Sequence, residues 1–165
     1  MMLRGDVWHE EKRIFSHVVL NDIFVTREGS PRIISLKTYV NDSYLNEYHA
    51  DGLIVSTPSG STGYSLSAGG PIIAPEAELF LMTPLAEHSL NARSVVLPSD
   101  SRICVEVGEG KDTAIEHAMA TFDGDRTIPL VTGDRVEIRM AEQNVTFMKI
   151  QDNSFLETLR KKMNR

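Results

Sequence analysis

Residues 32–41, RIISLKTYVN, alternate along the chain: Ile34, Leu36 and Val40 fall on one face and Ser35, Lys37 and Tyr39 on the other. A period of two marks a strand buried on one side, because successive side chains point to opposite faces of a sheet. Residues 102–107 repeat the pattern with Ile103, Val105 and Val107 inward, and residues 135–140 with Val136, Ile138 and Met140. Further strands are expected at 17–26, 53–56, 78–83, 94–97, 118–122 and 145–150. Turn residues separate them at Glu28-Gly29-Ser30-Pro31, Asp123-Gly124-Asp125 and Thr132-Gly133-Asp134, where glycine takes positive φ without steric cost. Many strands at short spacing predict a mainly β, sandwich-like fold with one or two short helices. One helix is expected from near Gly60 to Gly69-Gly70. The other covers 154–163, where Ser154 and Glu157 fit a capping box and Phe155, Leu156, Leu159 and Met163 form an apolar stripe.

Composition narrows the function classes. At 165 residues, with 41% hydrophobic and 24% charged side chains, the chain matches one globular domain with a real core. Its apolar runs are far shorter than the roughly 20 residues a membrane span needs. The charged start from Met1 to Arg13 lacks the apolar stretch of a signal peptide, so a cytoplasmic location and no membrane partner are expected. Seventeen basic against 23 acidic residues leave a net charge of −6, which argues against nucleic-acid binding. The basic run Arg160-Lys161-Lys162 complements a helix C-terminus. Cys104 has no partner for a disulfide, and no two of the five histidines stand at a helical i, i+4 spacing, so no metal site is expected from sequence neighbours. Leu79-Phe80-Leu81-Met82 is apolar enough to pair with or pack against a second copy, which predicts at least a dimer.

The segment from Ala50 to Pro71, ADGLIVSTPSGSTGYSLSAGGP, is of a different kind. After Leu53-Ile54-Val55 it holds almost only Ser, Thr and Gly with one Tyr, too few large side chains to build core. A strand that opens into a helix there would present unpaired amides to a polar ligand, with Gly60 and Gly63 letting it approach and Ser59, Ser61 and Thr62 supplying hydroxyls. Tyr64 adds a flat face with a polar tip. The alternative is a capped helix start and a flexible turn. The segment is neither a phosphate-binding P-loop, since no Gly-Lys-Ser/Thr occurs, nor a nucleophile elbow, since Gly60-Ser61-Thr62-Gly63 is one residue short of Gly-x-Ser-x-Gly. Asp51 either makes an Asp-Gly turn or accepts ribose hydroxyls. Asn21-Asp22, a polar pair inside VVLNDIFV, marks either a strand end or a functional site.

Together, Leu20-Asn21-Asp22, Ala50-Asp51-Gly52 and the block TPSGSTGYSLSAGGP resemble the NAD kinase family in order and rough spacing, from about residue 17 to the end. The resemblance implies the β-rich, NAD-binding C-terminal domain of that fold over residues 1–165, and an oligomer, homodimer or homotetramer. It implies an enzyme that moves a phosphoryl group from ATP, or polyphosphate, with Mg²⁺ or another divalent metal, to the 2′-hydroxyl of the adenosine ribose of NAD, giving NADP. By position, Asn21 and Asp22 match a pair that binds the adenine and ribose region, and Asp51 an aspartate at the nicotinamide end. Ser59, Thr62, Gly63, Tyr64 and Ser67 match residues lining the dinucleotide pocket. Ser59 and Gly63 stand where Thr and Ala are usual, and Asp123-Gly124-Asp125 is like an Asp-Gly turn of the family or a plain hairpin turn. The family's Gly-Gly-Asp-Gly motif, which carries the catalytic aspartate on an N-terminal α/β domain, does not occur in these residues. The chain alone is therefore expected to hold NAD without a catalytic residue. Other readings are a related lipid-kinase-type domain and a non-catalytic sandwich used for assembly.

Overall fold

The computed structural model describes residues 1–29, 33–86, 93–148 and 154–163. Among them, twelve strands run in chain order as β1 Leu3–His9, β2 Lys12–Val19, β3 Asp22–Arg27, β4 Ile34–Val40, β5 Ser43–Ala50, β6 Gly52–Ser56, β7 Leu79–Leu85, β8 Val95–Pro98, β9 Ile103–Val107, β10 His117–Phe122, β11 Arg126–Val131 and β12 Arg135–Met140. They form two six-stranded antiparallel sheets, β2-β1-β12-β9-β4-β5 and β11-β10-β3-β6-β7-β8. The fold is mainly β, as the alternation predicts. Leu3, Val7, Ile34, Leu36, Ile103, Val105, Val136 and Ile138 of the first sheet share one buried cluster with Ile23, Val25, Leu53, Val55, Phe80, Met82, Ala120 and Phe122 of the second. The core is thus the space between two inner faces.

β1 is not among the expected strands. Leu3 and Val7 point inward, but Gly5 stands between them and weakens the pattern. A Cβ on Gly5 would lie 2.6 Å from both Ile23 Cδ1 and Phe122 Cε1, so glycine lets the sheets meet closely there. β5 and β11 were equally silent, because each is an edge strand with few inward side chains, and Pro129 within β11 is tolerated only at an edge.

Four expectations need correction. Residues 17–26 are not one strand: β2 ends in the first sheet, β3 begins in the second, and Leu20-Asn21 make the crossing. Residues 145–148 form no strand, and Val145, Phe147 and Met148 are exposed; residues 149 and 150 lie outside the described residues. Met140 pairs with Leu3 but sits at the sheet end, 46% exposed rather than in the core. Phe80, Leu81 and Met82 are fully buried within the chain, because β7 lies between β6 and β8, so this run is not a surface for a second copy.

The Ser/Thr/Gly block lies over the outer face of the second sheet. It folds as a 3-10 turn, Ser59–Thr62, and a single helical turn α1, Tyr64–Ser67, rather than one continuous helix. The break falls at Gly63 (φ −94°, ψ −127°). α1 ends at Gly69, φ +84°, where Gly69 N–H donates to Leu66 O at 3.0 Å and Gly70 N–H to Ser65 O at 2.8 Å, a Schellman stop that requires glycine at its left-handed position. α1 packs on β6, and Leu53 to Ser56 are buried on both faces of the sheet. α2 spans Phe155–Met163, and its capping box closes reciprocally, Glu157 N–H to Ser154 Oγ and Ser154 N–H to Glu157 Oε2, both at 3.1 Å. No helix among the described residues is long and apolar enough to cross a membrane.

Candidate functional site

The crossing between the sheets is the first element of the site. A chain that leaves one sheet for another loses its ladder partners, and its amides need substitutes. The Asp123 carboxylate supplies them: it accepts the N–H groups of Leu20, Asn21 and Asp22 at 2.7, 2.8 and 3.1 Å. Asp123 N–H in turn donates to Asp22 O at 3.0 Å. On the carbonyl side, Thr57 N–H donates to Asn21 O at 2.9 Å and Thr57 Oγ1 to Leu20 O at 2.8 Å. Gly60 packs on the same main chain, since a Cβ there would sit 2.1 Å from Asn21 O. Asn21 is therefore fixed from three directions, and Asp22 by its amide and carbonyl bonds to Asp123.

The hydroxyls of the block fall into two sets. Thr57, Ser61 and Ser65, four residues apart, are fully buried. Thr57 Oγ1 accepts from Gly60 N–H at 3.1 Å, Ser61 Oγ donates to Pro58 O at 2.7 Å and accepts from Ile73 N–H at 3.0 Å, and Ser65 Oγ meets Thr83 Oγ1 at 3.1 Å. These bonds hold the block on the sheet. They also correct the expectation of free amides. Gly60 N–H is capped by Thr57 Oγ1, and the N–H groups of Ser61 and Gly63 bond Thr57 O and Gly60 O, so none of the three is left for a ligand. Ser61, expected to offer its hydroxyl outward, is internal.

What faces outward is a cleft in two parts. A hollow of about 430 Å³ is lined by Asn21, Asp22, Phe24, Tyr64, Asp123 and Gly124. A second, of about 610 Å³, is bordered by Phe24, Thr26, Arg27, Asp51, Tyr64 and Ser67 among others. Phe24 and Tyr64 belong to both and meet edge to face with ring centroids 4.9 Å apart. They form a ridge between the hollows. Of the expected residues, the structure brings Asn21, Asp22 and Tyr64 together in the first hollow and Asp51, Tyr64 and Ser67 in the second. Gly63 lies between Tyr64 and Asp22, with a built Cβ 3.8 Å from Asp22 Oδ2. Ser59 and Thr62 line neither hollow; Thr62 Oγ1 donates to Ser59 O at 3.4 Å.

A carboxylate marks each hollow. Asp22 is 6% exposed, and its carboxyl is pushed up to about 6, chiefly by burial and then by the neighbouring Asp123 charge. Asp51 accepts Arg27 Nε at Oδ1, 2.9 Å, which leaves Oδ2 to other donors. Asp51 is also a backbone node: its N–H donates to Leu85 O at 2.9 Å and its carbonyl accepts Arg27 N–H at 3.0 Å. Gly52 is not a turn glycine. It lies in β6, where a Cβ would come 2.5 Å from Val25 O, so packing between strands demands it. Carboxylates beside aromatic faces suit a ligand rich in hydroxyl and amino groups, with flat rings to cover.

Sequence reasoning missed Phe24 and Thr26, which sit on the outward face of β3 alternating with the core residues Ile23 and Val25, and Arg27, which ends the strand and borders the second hollow beside its ion-pair partner Asp51. The period of two in β3 is the signal that could have found Phe24 and Thr26. It also missed Thr57 as the clamp, although the spacing of Thr57, Ser61 and Ser65 marks one inward face.

Residues 20–150 match the family model of the ATP-NAD kinase C-terminal domain. The chain belongs to this family. NAD kinases of Lachnospira eligens and Agathobacter rectalis are each 46% identical to it, over 99% and 95% of the chain, and the chain spans 59% and 56% of their lengths. It therefore covers well under two thirds of the curated relatives it matches. Among solved structures, yeast NADH kinase complexed with NADH is similar with a TM-score of 0.74 and 32% identity, over 84% of this chain and 39% of the other. An Archaeoglobus fulgidus NAD kinase in complex with ATP gives 0.70 and 26%, over 85% and 51%. The NAD kinase fold of this domain is the two-sheet sandwich described above.

Proposed function

We propose that this chain is the NAD-binding part of an NAD kinase, an enzyme that moves a phosphoryl group from ATP or polyphosphate to the adenosine ribose 2′-hydroxyl of NAD. The observation that carries the reading is the paired cleft: two hollows, each with a carboxylate, separated by the Phe24–Tyr64 ridge. A dinucleotide has two sugars and two rings, and a two-part cleft matches that shape. Asn21 and Asp22 take the adenine and ribose region, Asp51 the nicotinamide end, and Tyr64, Gly63 and Ser67 the span between, with Ser59 and Thr62 at its margin. The similarity to a kinase solved with NADH agrees with this assignment.

Among the described residues no group of three His, Cys, Asp or Glu could hold a metal ion. The divalent ion of the reaction, the phosphoryl donor and the catalytic aspartate are assigned to parts of the enzyme outside residues 1–165, so this chain binds but does not transfer. A cytoplasmic homodimer or homotetramer is the assembly proposed, although the Leu79–Met82 run is not its interface.

Calorimetric titration tests the reading. NAD is expected to bind more tightly than either adenosine monophosphate or nicotinamide mononucleotide, because joined halves engage both hollows at once. Asp51→Ala and Tyr64→Ala are expected to weaken NAD about tenfold each. Absence of binding at millimolar NAD would defeat it.

A further inference from the structure

We infer that Asp123 is a positioning residue for dinucleotide binding: its carboxylate, by gathering the amides of Leu20, Asn21 and Asp22, sets where Asn21 and Asp22 present their side chains to the cleft. The inference rests on the NAD-binding reading above. It deepens that reading with a residue about a hundred positions away in the chain.

The hairpin turn at Asp123-Gly124 has both central residues at positive φ, +50° and +71°, and Asp125 N–H donates to Phe122 O at 3.0 Å, as a tight turn between antiparallel strands requires. Turn geometry alone is satisfied by Asn as well as by Asp, since both tolerate the left-handed region. The second set of contacts is not. Three N–H donors converge on the Asp123 carboxylate, with Leu20 on Oδ2 and Asn21 and Asp22 on Oδ1. An ionised carboxylate is acceptor-only on both oxygens and can take all three. An amide in its place would turn an NH₂ group toward at least one of the donors. The other contacts hold only the carbonyl side of the segment, Thr57 taking the carbonyls of Leu20 and Asn21 and Gly60 packing on Asn21, so the orientation of the amide side depends on Asp123. Releasing the amide side lets Asn21 and Asp22 turn away from the hollow they line.

Asp123 and Tyr64 are the other titratable groups lining the hollow with Asp22 among the described residues. The negative charge of Asp123 is one cause of the raised Asp22 value, so its removal has an electrostatic signature besides a geometric one. If ionised Asp22 accepts ligand hydroxyls, NAD affinity rises with pH through about 6 in the wild-type protein.

The experiment compares wild type with Asp123→Asn in the full-length protein, titrating NAD by calorimetry from pH 5 to 8. Asp123→Asn is expected to weaken NAD by about tenfold at neutral pH and to move the affinity midpoint to lower pH. Equal affinity and an unmoved midpoint would overturn the inference and leave Asp123 a turn residue only. Should the variant fail to fold, amide hydrogen exchange in the wild type decides: the amides of Leu20, Asn21 and Asp22 are expected to be protected, and more so with NAD. Exchange as fast as that of an open loop would overturn it. A wild-type protein that does not bind NAD defeats the functional reading instead, and the amide protection distinguishes the two failures.

Discussion

Asp22 is buried with a carboxyl raised from 3.8 to about 6, so at neutral pH the folded protein holds an ionised group it would stabilise better as an acid. The folded value lies above the unfolded one. The penalty is therefore absent below 3.8, grows as pH rises, and is fully present above about 6. Asp22→Asn is expected to raise the thermal midpoint by a few degrees above pH 7, with the difference vanishing near pH 4, while NAD affinity falls. A scanning calorimeter checks the first part and an NAD titration the second; a midpoint that drops at neutral pH would contradict the account. Stability sacrificed at one carboxylate is a mark of a working site. Glycines give a sharper contrast. A methyl on Gly60 would meet the Asn21 carbonyl at 2.1 Å, backbone that cannot step aside, whereas on Gly63 it would stand 3.3 Å from Gly60 O. Gly60→Ala is expected to cost about 3 kcal/mol or more in urea unfolding and Gly63→Ala under about 1 kcal/mol. Of the residues the structure brings to the cleft, Asn21 and Asp22 were legible as a polar pair breaking an apolar pattern, Asp51 and Tyr64 through the segment that holds them, and Ser67 only through the family resemblance. Phe24 was hidden because it reads as one more apolar residue of its strand.

At the scale of elements, the block from Thr57 to Gly70 serves the fold as much as the cleft. Its buried hydroxyls at positions 57, 61 and 65 staple it to the sheet, and Tyr64 and Ser67 border the cleft. Thr57→Val tests the staple, since it leaves the Leu20 carbonyl and Gly60 amide buried without that partner. A loss of about 2–3 kcal/mol is expected from urea unfolding, together with weaker NAD binding; a neutral substitution would show that the clamp is idle. The continuous helix expected over this block is two short turns because Gly63 breaks it. Strands with large apolar side chains at alternate positions, β4, β9 and β12, were plain in the sequence. β1, β5 and β11 were not, since Gly5 empties an inward position in the first and the other two lie at sheet edges with half or more of their residues exposed. No local pattern records that the chain changes sheets at Leu20-Asn21, because the carboxylate that makes the corner possible comes from Asp123.

The whole molecule is asymmetric. One sheet carries the buried Asp6 set among Arg4, Arg13 and Arg139 at 3.5–3.7 Å. The other carries the polar block and the cleft. The ladder between β3 and β6, neighbours in one sheet, fixes the distance between Asp22 and Asp51: Asp22 pairs with Ser56 at one end, and Asp51 precedes Gly52, which pairs with Thr26, at the other. Composition and alternation predict the sandwich, but which outer face holds the site follows from the hydroxyl block alone. The central claim is that the paired hollows take the two halves of one NAD. A crystal structure of the full-length protein with NAD tests it most directly. Density running from the Asn21–Asp22 hollow across the Phe24–Tyr64 ridge to Asp51 is the predicted result, and hollows that stay empty while NAD binds elsewhere would contradict it.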